Sequence, residues 1–194
     1  SYSHSQFLGT IEQIFNEKSK LVRQLPDDGV AILNWDDDSV RKMADLTSAK
    51  VIFYGTDGKN CHIWASNIKV SNYQTSFEIN YGVERVAVNL RLVGRHQVYP
   101  ALAAAALGVI NGISLIAIKK GLEEVEPTEH RLSLLEGLND TVILDDTYNN
   151  SSPIGIEAAL DVLNDLPAKR RILIYGEMKE LGTYSPSMHR RVGQ

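Results

Sequence analysis

Three short apolar runs in this chain end in polar clusters, and this pattern limits its possible folds more than any other feature. The runs cover residues 30–33, 141–144 and 171–175, and the clusters that follow cover 34–38, 145–150 and 176–180. Continuous apolar runs are typical of strands buried on both faces of a parallel sheet. Ligands of open α/β sheets bind beyond the carboxyl ends of such strands. We therefore predict an α/β protein with its ligand site at these ends.

The acidic residues in these clusters have two possible explanations. An acidic strand end is, by itself, equally well explained as the cap of a following helix. Three such ends in one chain favour a polar ligand that is accompanied by a cation.

The order of the other predicted elements supports the α/β class. Apolar residues recur at helical spacing over 10–24, where Thr10 is expected to cap the helix and Lys18 falls on the apolar face. A helix at 38–46 and a strand at 51–54 follow the first apolar run. Residues 61–92 alternate in short β-rich segments and are expected to form an antiparallel extension of the sheet.

A composition change near Pro127 marks the predicted domain boundary. The expected domains are 1–126 and 127–194, and a helix at 154–163 lies between the two later strands. The uncharged stretch 99–118 has the length of a membrane span, but Asn111-Gly112 is a helix stop and Ser114 a helix cap. Two short buried helices are predicted there, and no membrane insertion.

Composition narrows the function classes. Twenty basic and 24 acidic residues give a net charge of −4, which argues against a general binder of nucleic acid or of anionic membranes. The single cysteine, Cys61, excludes a disulfide within the chain and fits a reducing, cytoplasmic compartment. No secretory leader is visible, and both ends are interpreted as cuts in a longer protein.

A further polar group lies between the alternating strand and the alanine-rich helix. It consists of Gly94, Arg95, His96 and Gln97. A glycine at this point permits close approach of the backbone to a ligand, and His96 offers a flat ring or a hydrogen bond. Composition alone leaves open that His96 is a loop histidine without a role.

These residues, in this order, resemble the Mur ligase family. The most specific segments are Asp145-Asp146-Thr147-Tyr148-Asn149 and the run from Gly176 to Gly182, which reads Gly-Glu-Met-Lys-Glu-Leu-Gly. Further parts of the resemblance are His4, Lys18, Leu33-Asn34-Trp35-Asp36-Asp37, Gly94-Arg95-His96-Gln97, His130-Arg131 and His189. The resemblance implies part of the central ATP-binding domain, a mostly parallel sheet with an antiparallel extension, followed by an incomplete Rossmann-like C-terminal domain.

The resemblance also implies a metal site and a modified lysine. His4 matches a histidine near the metal and the phosphates, and Lys18 matches a lysine that the family carries as a carbamate. A carbamate turns a cation into an anionic oxygen ligand suited to Mg²⁺. Because only a neutral amine reacts with carbon dioxide, the expected position of Lys18 on an apolar face would assist the reaction.

The nucleotide and substrate residues follow in the same way. The resemblance places Asn34, His96 and Gln97 at the adenine, Arg131 at the phosphates or ribose, and Asp146 at the ribose with Tyr148 and Asn149 beside it. Glu177, Lys179 and His189 are expected near the incoming amine and the phosphate. ATP and Mg²⁺ are the implied cofactors.

The implied activity is ATP-dependent amide formation in peptidoglycan precursor synthesis. A UDP-sugar tripeptide would be activated as an acyl phosphate and joined to a D-alanyl-D-alanine dipeptide by a monomeric enzyme. No glycine-rich G-x-x-x-x-G-K-[ST] loop occurs in the sequence, so the isolated chain is expected to be inactive.

Three departures from the family pattern keep alternatives open. Gln97 and Pro100 stand where the family usually has asparagine, and Gln6 stands where a carboxylate is common. One alternative is a sister ligase for another acceptor, such as a diamino acid, glutamate or a cyanophycin-like chain. The other is a non-catalytic domain that binds a nucleotide or a protein partner.

Overall fold

The computed structural model describes residues 5–148 and 152–194. Its contacts divide the chain into two compact units. The larger unit is Phe15–Val125, and the smaller one combines the described chain up to Ile14 with Glu126–Gln194.

Two helices open the described chain, α1 (Ser5–Leu8) and α2 (Ile11–Arg23). The predicted cap of α2 is confirmed as a reciprocal pair of hydrogen bonds. Thr10 N donates to Gln13 Oε1 at 2.8 Å, and Gln13 N donates to Thr10 Oγ1 at 3.3 Å. Two of the backbone donors at the start of the helix are thereby satisfied, as in a capping box.

A five-stranded sheet forms the centre of the larger unit. In chain order its elements are β1 (Val30–Asn34), the short helix α3 (Asp38–Arg41), β2 (Lys50–Gly55), β3 (Ile63–Ser71), β4 (Gln74–Tyr81) and β5 (Glu84–Leu90). The strands are ordered β1-β2-β3-β4-β5. The pairs β1–β2 and β2–β3 are parallel, whereas β3–β4 and β4–β5 are antiparallel. The predicted parallel layer with an antiparallel extension is confirmed.

Helices cover both faces of the parallel edge of this sheet. Helices α4 (Val98–Ile110) and α5 (Leu115–Glu123) pack on one face. The buried residues there are Ile63, Ala65, Phe77, Ile79, Val88, Leu90, Val98, Ala101, Leu102, Ala105, Ala106, Leu115, Ile118 and Leu122. On the other face, Ala31 and Leu33 pack with Met43 and with partly buried residues that include Phe15 and Val22 of α2.

The predicted pair of short helices at 99–118 is confirmed. Ser114 caps α5, its Oγ accepting from Ala117 N at 3.3 Å, and Asn111 ends α4. No helix within 5–148 or 152–194 is long and apolar enough to cross a membrane.

The predicted helix at 38–46 is only partly observed. Helix α3 gives way to a 3₁₀ turn over Lys42–Leu46. Such tightening is common at the end of an α-helix. Here it accompanies the burial of Met43 in the core before the chain enters β2.

Beyond residue 126, the described part of the smaller unit contains a hairpin and two α-helices. These elements are β6 (Ser133–Glu136), β7 (Val142–Asp145), α6 (Pro153–Asp165) and α7 (Ser185–Val192). Strands β6 and β7 pair antiparallel, and a small cluster of Ile156, Met178 and Leu181 is buried beside α6 and α7. The prediction gave β7 and α6 but missed β6.

The predicted strand at 171–175 was wrong. Residues 170–179 have no regular structure, and Ile174 is 94% exposed. The Arg171 side chain instead donates to the carbonyls of Leu163, Asn164 and Leu166 at 2.8–3.0 Å. These are carbonyls at the end of α6, which the helix itself cannot satisfy.

Candidate functional site

The carboxyl ends of β1 and β2 lie side by side because the two strands are parallel and pair directly, Asn34 opposite Tyr54. Asn34 is half-buried, and its Oδ1 accepts from Asp36 N at 3.0 Å, which closes a tight turn after β1. With the oxygen engaged in this way, the side-chain NH₂ group of Asn34 is the part suited to donate to a ligand.

The acidic residues after β1 make hydrogen bonds and an ion pair with other groups of the protein. Asp36 Oδ2 accepts from both the N and the Oγ1 of Thr56, each at 2.8 Å, and so links the ends of β1 and β2. Asp37 caps α3 by accepting from the backbone of residues 39 and 40, and Asp38 pairs with Arg41. Of the two explanations for this cluster, the helix cap applies to Asp37.

Burial and the Asp36 carboxylate also act on the groups around this edge. The pKa of the Tyr99 hydroxyl is raised, first by burial and then by Asp36. Burial, assisted by the charge of Asp36, raises the pKa of the Cys61 thiol to about 11. Both groups are therefore neutral at pH 7.

His96 and Gln97 lie on a 3₁₀ turn, Arg95–Gln97, that leads into α4. The turn begins at Gly94, whose φ of +117° is unfavourable for any residue with a side chain. Buried Thr75 holds this glycine twice, since its Oγ1 accepts from Gly94 N at 2.9 Å and donates to Gly94 O at 3.2 Å. Gln97 Nε2 lies 3.1 Å from His96 Nε2, so the two predicted adenine-site side chains are brought together, both half-buried.

Lys18 is exposed, which corrects the expectation that it lies buried on the apolar face of α2. The buried residues of this helix are Ile14 and Ser19, with Phe15 and Val22 partly buried against the core. Ser19 Oγ donates to Asn16 O at 3.0 Å, which satisfies the hydroxyl inside the protein.

In the smaller unit, Arg131 lies in a turn that is joined to the segment after β7. Its guanidinium carbon is 4.6 Å from the centre of the Tyr148 ring, a cation–π contact. Asp146 Oδ1 accepts from Leu132 N at 3.2 Å, and His130 O accepts from Tyr148 N at 3.0 Å. The structure thus brings together three residues predicted for the ribose and phosphates: Arg131, Asp146 and Tyr148.

His130 and Asp145 form an ion pair in this same turn. His130 Nδ1 lies 2.7 Å from Asp145 Oδ2. The hydrogen bond and the charge of Asp145 raise the pKa of His130, and the hydrogen bond from His130 lowers the pKa of Asp145. Neither residue was predicted to have a role, although both lie within the motifs that carry the resemblance to the family.

His189 has both ring nitrogens bonded to backbone groups. Its Nε2 accepts from Met178 N at 2.9 Å, and its Nδ1 donates to Ser185 O at 2.8 Å. These partners define the tautomer with hydrogen on Nδ1. Glu177 and Lys179 lie exposed on either side of buried Met178, so His189 holds the segment that presents them.

The N-terminal segment contacts the same loop. Ser5 is buried and its Oγ donates to Leu181 O at 3.0 Å, while Gln6 N donates to Glu180 O at 3.0 Å. The sequence carried no signal for this contact, since the partners are about 175 residues apart. His4 and Asn149, predicted for the metal and nucleotide sites, lie outside the described residues.

The chain matches a known protein family over part of its length. Residues 1–108 match the family described as the Mur ligase middle domain, which is more than half of the chain. The chain therefore belongs to the Mur ligase family.

Individual relatives extend the similarity over nearly the whole chain. The chain is 34% identical, over 99% of its length, to the UDP-N-acetylmuramoyl-tripeptide–D-alanyl-D-alanine ligase of Escherichia coli, of which it covers 42%. It is 32% identical over 84% of its length to the UDP-N-acetylmuramoyl-L-alanyl-D-glutamate–2,6-diaminopimelate ligase of Halalkalibacterium halodurans, of which it covers 34%.

A solved structure of MurF from Acinetobacter baumannii matches the entire chain with a TM-score of 0.90 and 27% identity, covering 42% of that protein. The predicted fold class is confirmed. The chain spans about two fifths of the length of the ligases it matches over nearly all of its own length.

Proposed function

We propose that this chain is part of an ATP-dependent ligase of peptidoglycan precursor synthesis. The reaction would join D-alanyl-D-alanine to UDP-N-acetylmuramoyl-tripeptide. The main support is the similarity to the E. coli ligase of that name, which extends over 99% of this chain.

Within the larger unit, Asn34, His96 and Gln97 are the residues proposed to bind the adenine. The Asn34 amide and the imidazole–amide pair of His96 and Gln97 offer hydrogen-bond donors and acceptors on half-buried surfaces. A purine needs both kinds of group along its edge. Since Gly94 and Thr75 hold the turn, His96 and Gln97 are ordered before a ligand arrives.

Within the smaller unit, Arg131, Asp146 and Tyr148 are the residues proposed to bind the ribose and the phosphates. The Arg131 guanidinium is always charged and can bind two phosphate oxygens at once. Asp146, whose Oδ1 accepts from Leu132 N, is a carboxylate and thus the type of group that accepts from a ribose hydroxyl. Tyr148 offers an exposed ring, and the prediction for Asn149 is retained from the sequence.

The proposed reaction activates the tripeptide carboxylate by phosphorylation. The carboxylate oxygen attacks the terminal phosphorus of ATP to give an acyl phosphate and ADP. The amine of the acceptor then attacks the acyl carbon, and inorganic phosphate leaves. Positioning and electrostatic stabilisation would supply most of the rate, because phosphoryl transfer gives the protein little covalent chemistry to perform.

Mg²⁺ enters the proposal as the usual companion of ATP. The described residues contain no group of three His, Cys, Asp or Glu side chains that could hold a metal. The predicted ligands of the ion, His4 and carbamylated Lys18, remain predictions.

The exposed Glu177 and Lys179 are proposed to meet the acceptor. A carboxylate can attract the acceptor's ammonium group, and a lysine can attract its terminal carboxylate. His189 would act indirectly, because both of its nitrogens are engaged by backbone groups. We also propose that the complete enzyme is cytoplasmic and monomeric and does not bind nucleic acid.

Phosphate release by the complete protein that carries this sequence tests the function. The assay contains ATP, Mg²⁺, UDP-N-acetylmuramoyl-tripeptide and one acceptor at a time from a panel of amines. We expect release that depends on D-alanyl-D-alanine. Absence of release with every acceptor would overturn the enzyme assignment and favour a nucleotide- or partner-binding domain.

One alternative ligase has direct support. The diaminopimelate-adding ligase of H. halodurans is 32% identical to this chain, close to the value for the dipeptide-adding enzyme. For this alternative, the assay supplies UDP-N-acetylmuramoyl-L-alanyl-D-glutamate together with diaminopimelate. Release with that pair alone would keep the chemistry and change the substrates.

A further inference from the structure

The backbone around Arg131 is tied down on both sides. The residue before it, His130, accepts from Tyr148 N through its carbonyl at 3.0 Å, and the residue after it, Leu132, donates to Asp146 Oδ1 at 3.2 Å. Arg131 N also donates to Thr128 O at 3.2 Å. The position of the guanidinium therefore depends on how firmly this turn is held.

Two residues of the turn adopt unfavourable backbone conformations. His130 has a φ of +62° and Leu132 a φ of +50°, both in the left-handed region that residues with side chains seldom occupy. Such conformations persist only when surrounding contacts hold them. Leu132 is held by burial, with 8% of its surface exposed, whereas the His130 side chain is 57% exposed and burial does not hold it.

The contact that holds His130 is the ion pair with Asp145. Asp145 is itself well fixed, because its side chain is only 12% exposed and its Oδ1 accepts from Thr147 N and Oγ1 at 3.1 and 2.8 Å. Its other oxygen, Oδ2, lies 2.7 Å from His130 Nδ1. The charges of the two side chains cancel when His130 is protonated, so the pair adds little attraction for an anion.

We propose that His130 and Asp145 form a positioning pair, which holds the turn so that the Arg131 guanidinium is presented beside Tyr148 to the phosphates of a nucleotide. This inference rests on the proposed nucleotide site and adds two residues that hold it in place. Neither residue needs to touch the nucleotide. Their effect reaches the ligand through the backbone of residues 130–132.

The test uses the complete protein and two variants, His130→Gly and Asp145→Asn. Glycine adopts a φ of +62° without strain, so His130→Gly removes the side-chain contact while sparing the backbone. Both variants should weaken binding of a fluorescent ATP analogue about tenfold, as loss of a supporting contact behind a ligand-binding group commonly does. Glu129→Gln is the matched control, because Glu129 acts on His130 only through its charge, and it should bind normally.

The pH profile separates a positioning pair from a merely structural contact. The charged groups around His130 are Asp145, Asp146, Glu129 and Arg131. Because the pKa of His130 is raised above its ordinary 6.5, the charged pair is complete below 6.5 and weakens as pH rises through the raised value. Nucleotide affinity should fall over that range in the wild-type protein, and this step should be absent in Asp145→Asn, because His130 has no carboxylate partner there at any pH.

The outcomes distinguish this inference from the proposed function. Nucleotide binding that depends on the pair, in a protein without ligase turnover, supports the inference and overturns the function. Ligase turnover with unchanged nucleotide affinity in both variants overturns the inference and leaves the function standing. A wild-type protein that binds no nucleotide overturns both.

Discussion

Single residues beyond the carboxyl ends of β1 and β2 show how burial and charge act together. The thiol of Cys61 is buried, and Asp36 and Asp57 both add negative charge near it. Both effects oppose formation of the thiolate, which is why the pKa of Cys61 is about 11. Asp36 also accepts two hydrogen bonds from Thr56. The same carboxylate therefore links two strand ends and helps to keep the thiol of Cys61 protonated.

Removing the charge of Asp36 should make Cys61 more reactive. In Asp36→Asn the pKa of the thiol should fall below about 11 while staying above the ordinary value of 9.0, because burial is the larger cause. The rate of alkylation by iodoacetamide, followed against pH, measures this. Asp45→Asn serves as the control, and equal pH profiles for the two variants would contradict the assignment.

Gly94 should be intolerant of any side chain. Alanine at a φ of +117° would be strained by about 1–3 kcal/mol, so Gly94→Ala should lower the free energy of unfolding by this amount. Gly121 is the matched control, since it lies in α5 with open space around it and alanine there should stabilise the helix by about 0.5–1 kcal/mol. Urea denaturation of both variants gives the two changes, and their signs should be opposite.

At the scale of elements, the starts of helices could be predicted from the sequence better than strands could be predicted from apolar runs. A cap is a local event, so Thr10 and Ser114 could be assigned from their neighbours, and both caps are observed. A strand requires a partner that the run itself does not contain. The apolar run 171–175 was therefore mistaken for a strand, while β6 was missed although it pairs with β7.

The side chain of Arg171 should act as the C-terminal cap of α6. Arg171→Lys keeps the charge but loses the planar fork that reaches several carbonyls, so it should destabilise the end of α6 by about 1 kcal/mol. Hydrogen exchange at residues 163–166 should accelerate in this variant. Arg170→Lys, at the exposed neighbouring position, should leave that exchange unchanged.

At the scale of the whole chain, the described residues of the two units form buried clusters of different extent. The larger unit buries a continuous cluster between a five-stranded sheet and two helices, whereas the smaller one buries Ile156, Met178 and Leu181 beside α6 and α7. Local stability follows such differences in buried apolar contact and backbone hydrogen bonding. The units should therefore differ in how readily their backbones open.

Hydrogen exchange of the whole chain should report this difference. Amides in β4 should exchange slowly, because this strand is paired on both sides and lies beside the larger core. Amides over 170–179 should exchange fast, because that segment has no regular structure and Ile174 is 94% exposed. Equal protection of the two segments would contradict the assignment of core sizes.

Which residues of the candidate site lie close together could be predicted from the sequence, whereas the surroundings of each side chain could not. The order of motifs grouped His96 with Gln97 and Arg131 with Tyr148, and the two members of each pair are in contact. His96 and Gln97 are adjacent in sequence, and Arg131 and Tyr148 lie on adjoining turns. The predicted environment of Lys18 was wrong, because helical spacing shows which residues share one face of a helix but not what packs against that face. The His130–Asp145 pair was missed for a similar reason, since a contact across 15 residues depends on the pairing of β6 with β7.

The unreactive thiol also has a practical use in labelling. Cys61 is the single cysteine in this sequence, and at neutral pH it is almost entirely protonated. Maleimides react with the thiolate, so their reaction with Cys61 should be slow. A second cysteine introduced at an exposed position such as Val83, which is 99% exposed, would therefore take a fluorophore selectively without prior removal of the native thiol. The chain thus provides its own low-background scaffold for single-molecule fluorescence.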